Sequence, residues 1–446
     1  MPARGGDNDR VFEFGDFTLS PKERLLLRAG EPVTLTPKAF DVLVTLVRRS
    51  GHLVSKDELL REVWPDTFVQ EVNLTVNISA LRRALGGDQA ELGFIRTVSG
   101  HGYRFVAQVV ERSATVTHQI SREATKSPDA YRAYLQGRHN WSRRSEEALK
   151  LAIDLFQCAV ALDPKFASAY SGLADCYATL GSLSHLAPQD AFPAARQFAT
   201  CALELDPALA EAHASLGFVE LYFDWNWLAA EKHFQHATAL DPSYPATHQW
   251  YAIYLMASAR PADALAEMHQ ARRRDPLSLA INTDIGFCHY YAGQYQEAIK
   301  QLRFVLELNS EFPPAHLWLG RAYQELGRYD DAIAAFRYVE GKLPEWSVPR
   351  AARGFVEGVA GRTDAARSTL LGLEKLAQRK FVTPYGLALV QAALGQNDAA
   401  FSWLDRAIAE RSHWLVWLRL DPRWNTLRSD SRFADCVRRV GFLNSR

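Results

Sequence analysis

The sequence predicts a small α+β domain followed by a long all-α array, and three observations predict it. Up to about residue 110, short alternating apolar runs are interleaved with helical stripes. From Pro128 onward the strand signals vanish and alanine recurs every 34 residues, at Ala230, Ala264, Ala298, Ala332, Ala366 and Ala400. Between the two halves, Glu111 to Ser127 turns to Ser, Thr, Ala and mixed charge without an apolar period, which is linker composition.

In the first half, Val11 to Phe14 and Phe17 to Leu19 alternate around Gly15-Asp16, and Arg24 to Arg28 and Pro32 to Leu35 flank Gly30; together they predict a small antiparallel sheet. Thr36-Pro37 opens a first helix, since Thr caps and Pro tolerates the first helical position. Phe40, Leu43, Val44 and Val47 are its apolar stripe, and Gly51 ends it. Ser55-Lys56-Asp57-Glu58 is a capping box for a second helix that ends near Trp64-Pro65. A third helix is expected over Asn73 to Leu85, where Leu74, Ile78, Leu81 and Leu85 share one face, and Gly86-Gly87 stops it. Ile95 to Val98 and Tyr103 to Val106 then form a hairpin around Ser99-Gly100-His101-Gly102.

Strands, three helices and a terminal hairpin in about 110 residues is the order of a winged helix-turn-helix domain. Phe14 to Val106 resembles the OmpR/PhoB-type DNA-binding domain. The specific part is Val76 to Leu85 followed by Ile95 to Phe105, where helix, spacing and Gly-x-Gly-Tyr wing match together. The resemblance implies that the third helix enters the DNA major groove, where base pairs present distinct donor and acceptor patterns. It places Thr75, Val76 and Ser79 at base edges and Arg82, with Arg83, at phosphate. The wing would approach the flanking minor groove or backbone through Ser99, His101 and Arg104, with Thr97 donating to a phosphate; Tyr103 is either wing core or a phosphate donor. Many family members carry arginine where this chain has Ser79, Ala80 and Ser99. Residues 1 to 110 hold 14 Lys+Arg and 14 Asp+Glu, so the domain is formally neutral and its helix–wing face has to be its more basic side. Low affinity of one domain would favour paired binding to repeated half-sites, as a homodimer on double-stranded DNA.

In the second half, the apolar residue four after each alanine is kept: Phe234, Met268, Leu302, Phe336, Leu370 and Leu404. Ala252, Gly286, Gly320, Gly354 and Ala388 repeat at the same interval, and Pro242, Pro276 and Pro344 punctuate the repeat ends. That spacing marks the tetratricopeptide repeat. Ala152 and Ala195 extend the count to eight second helices; the 43 residues from Ala174 to Gly217 leave nine extra, expected between Gly181 and Asp190. Such repeats stack into a superhelix with a concave face. Phe218, Tyr222, Phe287, Tyr290, Tyr291, Arg321 and Gln324 (with Glu325 beside them) are expected on that face, where aromatic and Arg side chains suit a protein or peptide partner, a small ligand or a second copy. The predicted organisation is a winged domain at 11–110, a linker at 111–128, repeats at 129–411 and a capping segment at 412–446. Trp403, Trp414, Trp417 and Trp424 are expected in the cap's core.

Several classes are excluded. Apolar residues are 48% and charged residues 23%, with 51 basic against 51 acidic side chains, so the chain is neither disordered nor a polycation. Five scattered cysteines form no metal or disulfide framework, and no apolar run is long enough to span a bilayer, which predicts a cytoplasmic protein with no membrane partner. His233 and His236 share a helix without a third ligand, so no metal is expected. No phosphate loop, nucleophile elbow or dinucleotide fingerprint occurs; no enzyme activity and no cofactor are expected. Ten residues precede Val11, so any signal is expected to arrive through the repeats. The two readings are a sequence-specific transcriptional regulator and, from another class, a repeat-based interaction scaffold with the winged domain as a docking module.

Overall fold

The computed structural model describes residues 10–21, 24–28, 31–33, 35–64, 71–86, 93–113 and 125–442. Gly30, Pro65, Gly87 and most of the expected linker lie outside them. Four strands, β1 (Arg10–Phe14), β2 (Phe17–Ser20), β3 (Leu25–Arg28) and β4 (Glu31–Pro32), form the leading antiparallel sheet. Helix α1 (Pro37–Arg48) starts where Thr36 Oγ1 accepts from the Ala39 amide at 3.1 Å. A three-residue strand, β5 (Leu53–Ser55), leads into α2 (Lys56–Val63), whose capping box is complete: Ser55 Oγ accepts from the Glu58 amide at 3.2 Å, and Glu58 Oε2 from the Ser55 amide at 2.8 Å. Helix α3 (Glu71–Ala84) begins two residues earlier than the stripe predicts. The hairpin is β6 (Ile95–Val98) and β7 (Gly102–Phe105), and β5 joins it in the order β5-β7-β6. Gly102 admits no side chain, because a Cβ there would collide with the Val54 carbonyl oxygen.

The expected linker starts differently. Val110–Ser113 is a strand, β8, that pairs antiparallel with β1 and completes a five-stranded sheet. Val110 is exposed and the strand lies at the sheet edge, so no buried face writes an apolar alternation into its sequence.

Eight helix pairs follow: α4 (Pro128–Ser142) with α5 (Glu146–Leu162), α6 (Ala167–Ser182) with α7 (Pro188–Leu205), α8 (Ala210–Val219) with α9 (Trp227–Leu240), α10 (Pro245–Ala257) with α11 (Pro261–Arg274), α12 (Leu279–Tyr291) with α13 (Tyr295–Leu308), α14 (Pro313–Glu325) with α15 (Tyr329–Lys342), α16 (Ser347–Val359) with α17 (Thr363–Leu376), and α18 (Pro384–Ala393) with α19 (Asn397–Ala409). A last helix, α20 (Ser431–Val440), follows two short 3-10 turns, His413–Trp417 and Pro422–Trp424. The small residues work by close approach: a Cβ on Gly320 would stand 2.6 Å from the ring of Phe336 in the paired helix. Gly320→Ala is therefore expected to cost about 1–3 kcal/mol by overpacking, read from the urea midpoint. At the repeat ends, Asp163, Asp206, Asp241 and Asn309 each accept from the amide two residues on, and the prolines follow the three aspartates directly.

The nine extra residues are absorbed within the second helix pair, and one further residue is absorbed after it. Helices α6 and α7 have 16 and 18 residues, against 13 and 14 for α12 and α13, with a short loop between them. A π-helical turn, Glu220–Asp224, takes up the one residue more that separates Gly217 from Ala230 than separates Ala252 from Ala264.

The array closes on itself. Lys380 pairs with Glu146 at 3.1 Å, linking the seventh pair's end to α5, and the Trp346 indole donates to the Leu183 carbonyl at 2.6 Å. The capping segment runs back along the interior: the Trp414 indole donates to Ser184 Oγ at 3.1 Å and the Trp227 indole to the Val440 carbonyl at 3.4 Å. Trp414, Trp417 and Trp424 are buried as core, while Trp403 is half-buried. The buried Arg423 holds Asp421 with two hydrogen bonds, at 2.8 and 2.6 Å, and Tyr385 donates to the same carboxylate.

Candidate nucleic-acid interface and repeat interior

Helix α3 buries Leu74, Ile78, Leu81 and Leu85, the predicted stripe. Its remaining edge carries Thr75, Ser79 and Arg83, all exposed, and half-buried Arg82. Arg82 ties helix to wing: its Nε donates to the Ile95 carbonyl at 3.0 Å and its Nη2 to Thr97 Oγ1 at 2.6 Å. Thr97 is thus exposed but already engaged by Arg82. At the wing tip Ser99 and His101 are exposed, and the His101 ring lies 2.9 Å from the Ser99 carbonyl. Tyr103 is buried, which makes it wing core.

Sequence reasoning missed Arg96. The β6–β7 register sets Arg96 directly opposite Arg104, both exposed. Like charges in cross-strand pairs repel, so this face favours an anion. Among the described residues no carboxylate pairs with Arg82, Arg83, Arg96 or Arg104. The alternation of the hairpin could have found Arg96, because it follows buried Ile95 and so points outward.

The helix has a second apolar side that the stripe does not contain. Ala80 is fully buried, and Val76 and Ala84 are half-buried against the winged-domain core. That core includes Leu277 and Leu308 of the array, 1% and 3% exposed, with Phe304 and Leu279 packed beside them. Helix α3 lies against α13. Val76, expected at a base edge, is here part of an apolar contact surface. The two units also face each other with like charge: burial, then Arg83, lowers the pKa of Arg272 on α11.

The seven expected groove residues do line the inside of the array, but they are not an open groove. Phe218, Tyr222, Phe287, Tyr290, Tyr291, Arg321 and Gln324 are all buried. The chain's own capping segment covers several of them: Trp417 stacks on Tyr291 at 4.5 Å and meets Phe287 edge-on at 4.8 Å. The Arg321 guanidinium lies over Trp318 at 4.4 Å and over Trp414 at 4.6 Å, and burial lowers its pKa to about 10. Gln324 donates to Glu325 at 2.7 Å. The expectation failed because a repeat register says which face is concave, not which segment fills it.

A winged helix with a polar helix edge and a basic wing, joined to stacked helix pairs, defines a class of two-part protein, a winged helix followed by a helical repeat array. A family model described as "Transcriptional regulatory protein, C terminal" matches residues 30–105, and one described as "Tetratricopeptide repeat" matches residues 288–345. The N-terminal domain belongs to the OmpR/PhoB-type transcriptional regulatory domains, and the region behind it carries tetratricopeptide repeats. The chain is similar to the transcriptional regulator HilA of Salmonella typhimurium, 44% identical over 103 residues, which are 23% of this chain and 18% of HilA. It is also similar to the transcriptional regulatory protein KdpE of Mycobacterium tuberculosis H37Rv, 38% identical over 98 residues, 22% of this chain and 43% of KdpE. The chain thus spans less than half the length of either relative. A solved structure of the DNA-binding domain of Escherichia coli CadC is 31% identical, covering 23% of this chain and 98% of that one, with a TM-score of 0.22. No helix among the described residues is long and apolar enough to cross a membrane.

Proposed function

We propose that this chain is a sequence-specific DNA-binding transcriptional regulator whose repeat array controls access to the reading helix. The observation that carries it is the exposed edge of α3, Thr75, Ser79 and Arg83, beside the Arg96–Arg104 pair of the wing. In this reading Thr75 and Ser79 meet base edges in the major groove, and Arg82 and Arg83 meet phosphates. Arg96, Arg104, Ser99 and His101 meet the flanking backbone or minor groove, with Thr97 set through Arg82. Two chains paired on adjacent half-sites would add their binding free energies, so their binding constants multiply.

The array is the input half. Helix α13 packs against α3; in this reading the docked arrangement is the restrained state and release from α13 is the reading state. The docked winged domain also suits the second reading, a protein-interaction scaffold, because α3 is there seen making a protein contact.

Salt dependence separates the two. Genomic fragments retained by the full chain are tested by gel shift at rising salt. Arg96→Ala with Arg104→Ala is expected to weaken binding to every fragment and to flatten the log–log salt slope by roughly one per phosphate contact removed. Ser79→Ala is expected to alter the order of preference among fragments with a smaller general loss. If neither changes binding, the scaffold reading stands instead.

A further inference from the structure

Between the concave face and the returning capping segment lies a cavity of about 120 Å³. Trp250, Trp318, Trp414 and Trp417 wall it on several sides. The volume is less than that of the engineered cavity of about 150 Å³ that holds a benzene molecule, so the space suits a branched aliphatic side chain rather than a ring. Its polar groups are few and placed apart. Arg144 lines it, its guanidinium 3.9 Å over the Trp141 ring and its Nη1 donating to Thr179 Oγ1 at 2.8 Å. Asp284 lines it as well, accepting from Gln249 Nε2 at 2.6 Å. Both are half-buried. Opposite in sign, they attract each other across the cavity without forming a direct ion pair. Thr283 and His413, 2% exposed each, are also among its wall residues.

Two charges of opposite sign that attract each other across an aromatic cavity, without direct contact, suit a dipolar molecule between them. We propose that this cavity binds a free branched aliphatic α-amino acid, its ammonium at Asp284, its carboxylate at Arg144 and its side chain against the tryptophan wall. Burial pushes His413 down to about 3, with Arg321 adding to the effect and the Ser182 carbonyl opposing it, so the ring is neutral near pH 7 and adds no third charge to the wall. Burial also raises Asp284 to about 6, which a bound ammonium would reverse. A peptide fits poorly, because the capping segment already fills the concave face beside the cavity.

The cavity also touches the domain contact. Helix α12 presents Thr283 and Asp284 to the cavity, while Leu279 at its start and Leu277 just before it pack on the winged-domain core. One helix thus carries both contacts, and a ligand that shifts α12 shifts the docking of α3. This deepens the reading of the array as the input half; the binding site itself stands without DNA recognition.

The test uses the full chain and its tryptophan emission, which does not depend on DNA. Apolar and aromatic L-amino acids are titrated singly to millimolar concentration. L-valine or L-leucine is expected to shift the emission and raise Tm, and L-phenylalanine to do neither. The matching amide, which lacks the carboxylate, and the N-acetyl derivative, which lacks the ammonium, are each expected to bind about tenfold more weakly or worse. Asp284→Asn should remove the preference for the free amino acid over its N-acetyl derivative. No response to any of the amino acids overturns the proposal, and so does equal binding of amide, N-acetyl derivative and free acid. The analogue series runs on the unaltered chain, so it decides the matter even where Asp284→Asn does not fold.

Discussion

Leu308→Asp, or Leu277→Asp, is expected to raise the affinity of the full chain for DNA by about tenfold, equivalent to about 1.4 kcal/mol. Both leucines are buried, and both belong to the apolar cluster of the winged domain rather than to the main core of the array. A carboxylate at either position cannot stay buried without a partner, so the contact opens instead of absorbing the charge. Arg272→Glu is expected to act in the other direction. It replaces the like-charge approach of Arg272 and Arg83 by an attraction, tightens docking and lowers DNA affinity. In the Leu308→Asp background the same change should have little effect, because the two groups are then no longer held together. Fluorescence anisotropy with one retained fragment measures all four proteins. If Leu308→Asp folds normally and binds DNA no better than the parent, docking does not restrain α3.

Trp417→Ala is expected to be the most destabilising single change in the array, at about 3–5 kcal/mol. The side chain is 1% exposed and sits between Tyr291, stacked at 4.5 Å, and Phe287, edge-on at 4.8 Å. Its removal takes away the aromatic contact between the capping segment and the fifth helix pair and leaves a void where Tyr291 and Phe287 cannot close up, since both are fixed by Trp318 as well. Urea unfolding should show a lower midpoint for the array. A loss under about 1 kcal/mol would mean that the capping segment is not a structural part of the interior.

The local grammar of the fold was legible in the sequence. Thr36-Pro37, the Ser55–Glu58 box, the Leu74 stripe and the 34-residue alanine period each rest on interactions within a few residues or between adjacent helices, and each stands in the structure where the sequence placed it. What escaped reading depends on partners far away in the chain. Leu53–Ser55 is too short to show alternation, and Val110–Ser113 is an edge strand. The wing alternation offered Arg96, but its position opposite Arg104 appears only with the register. The side chains of the concave face were chosen correctly by period, yet their burial depends on Trp414 and Trp417, some 90 to 200 residues away in sequence, folding back onto them. Leu277 and Leu308 sit at repeat ends, where an apolar residue is ordinary, so nothing marked them as a contact between domains.

The most direct measurement is a footprint of the full chain on genomic fragments, run in parallel for the parent, Leu308→Asp and Ser79→Ala proteins. A common protected sequence is expected for the parent, stronger protection of the same sequence for Leu308→Asp, and a changed preference for Ser79→Ala. Uniform weak protection without sequence preference, in the parent and in the released protein alike, would contradict the claim that α3 and its wing read DNA.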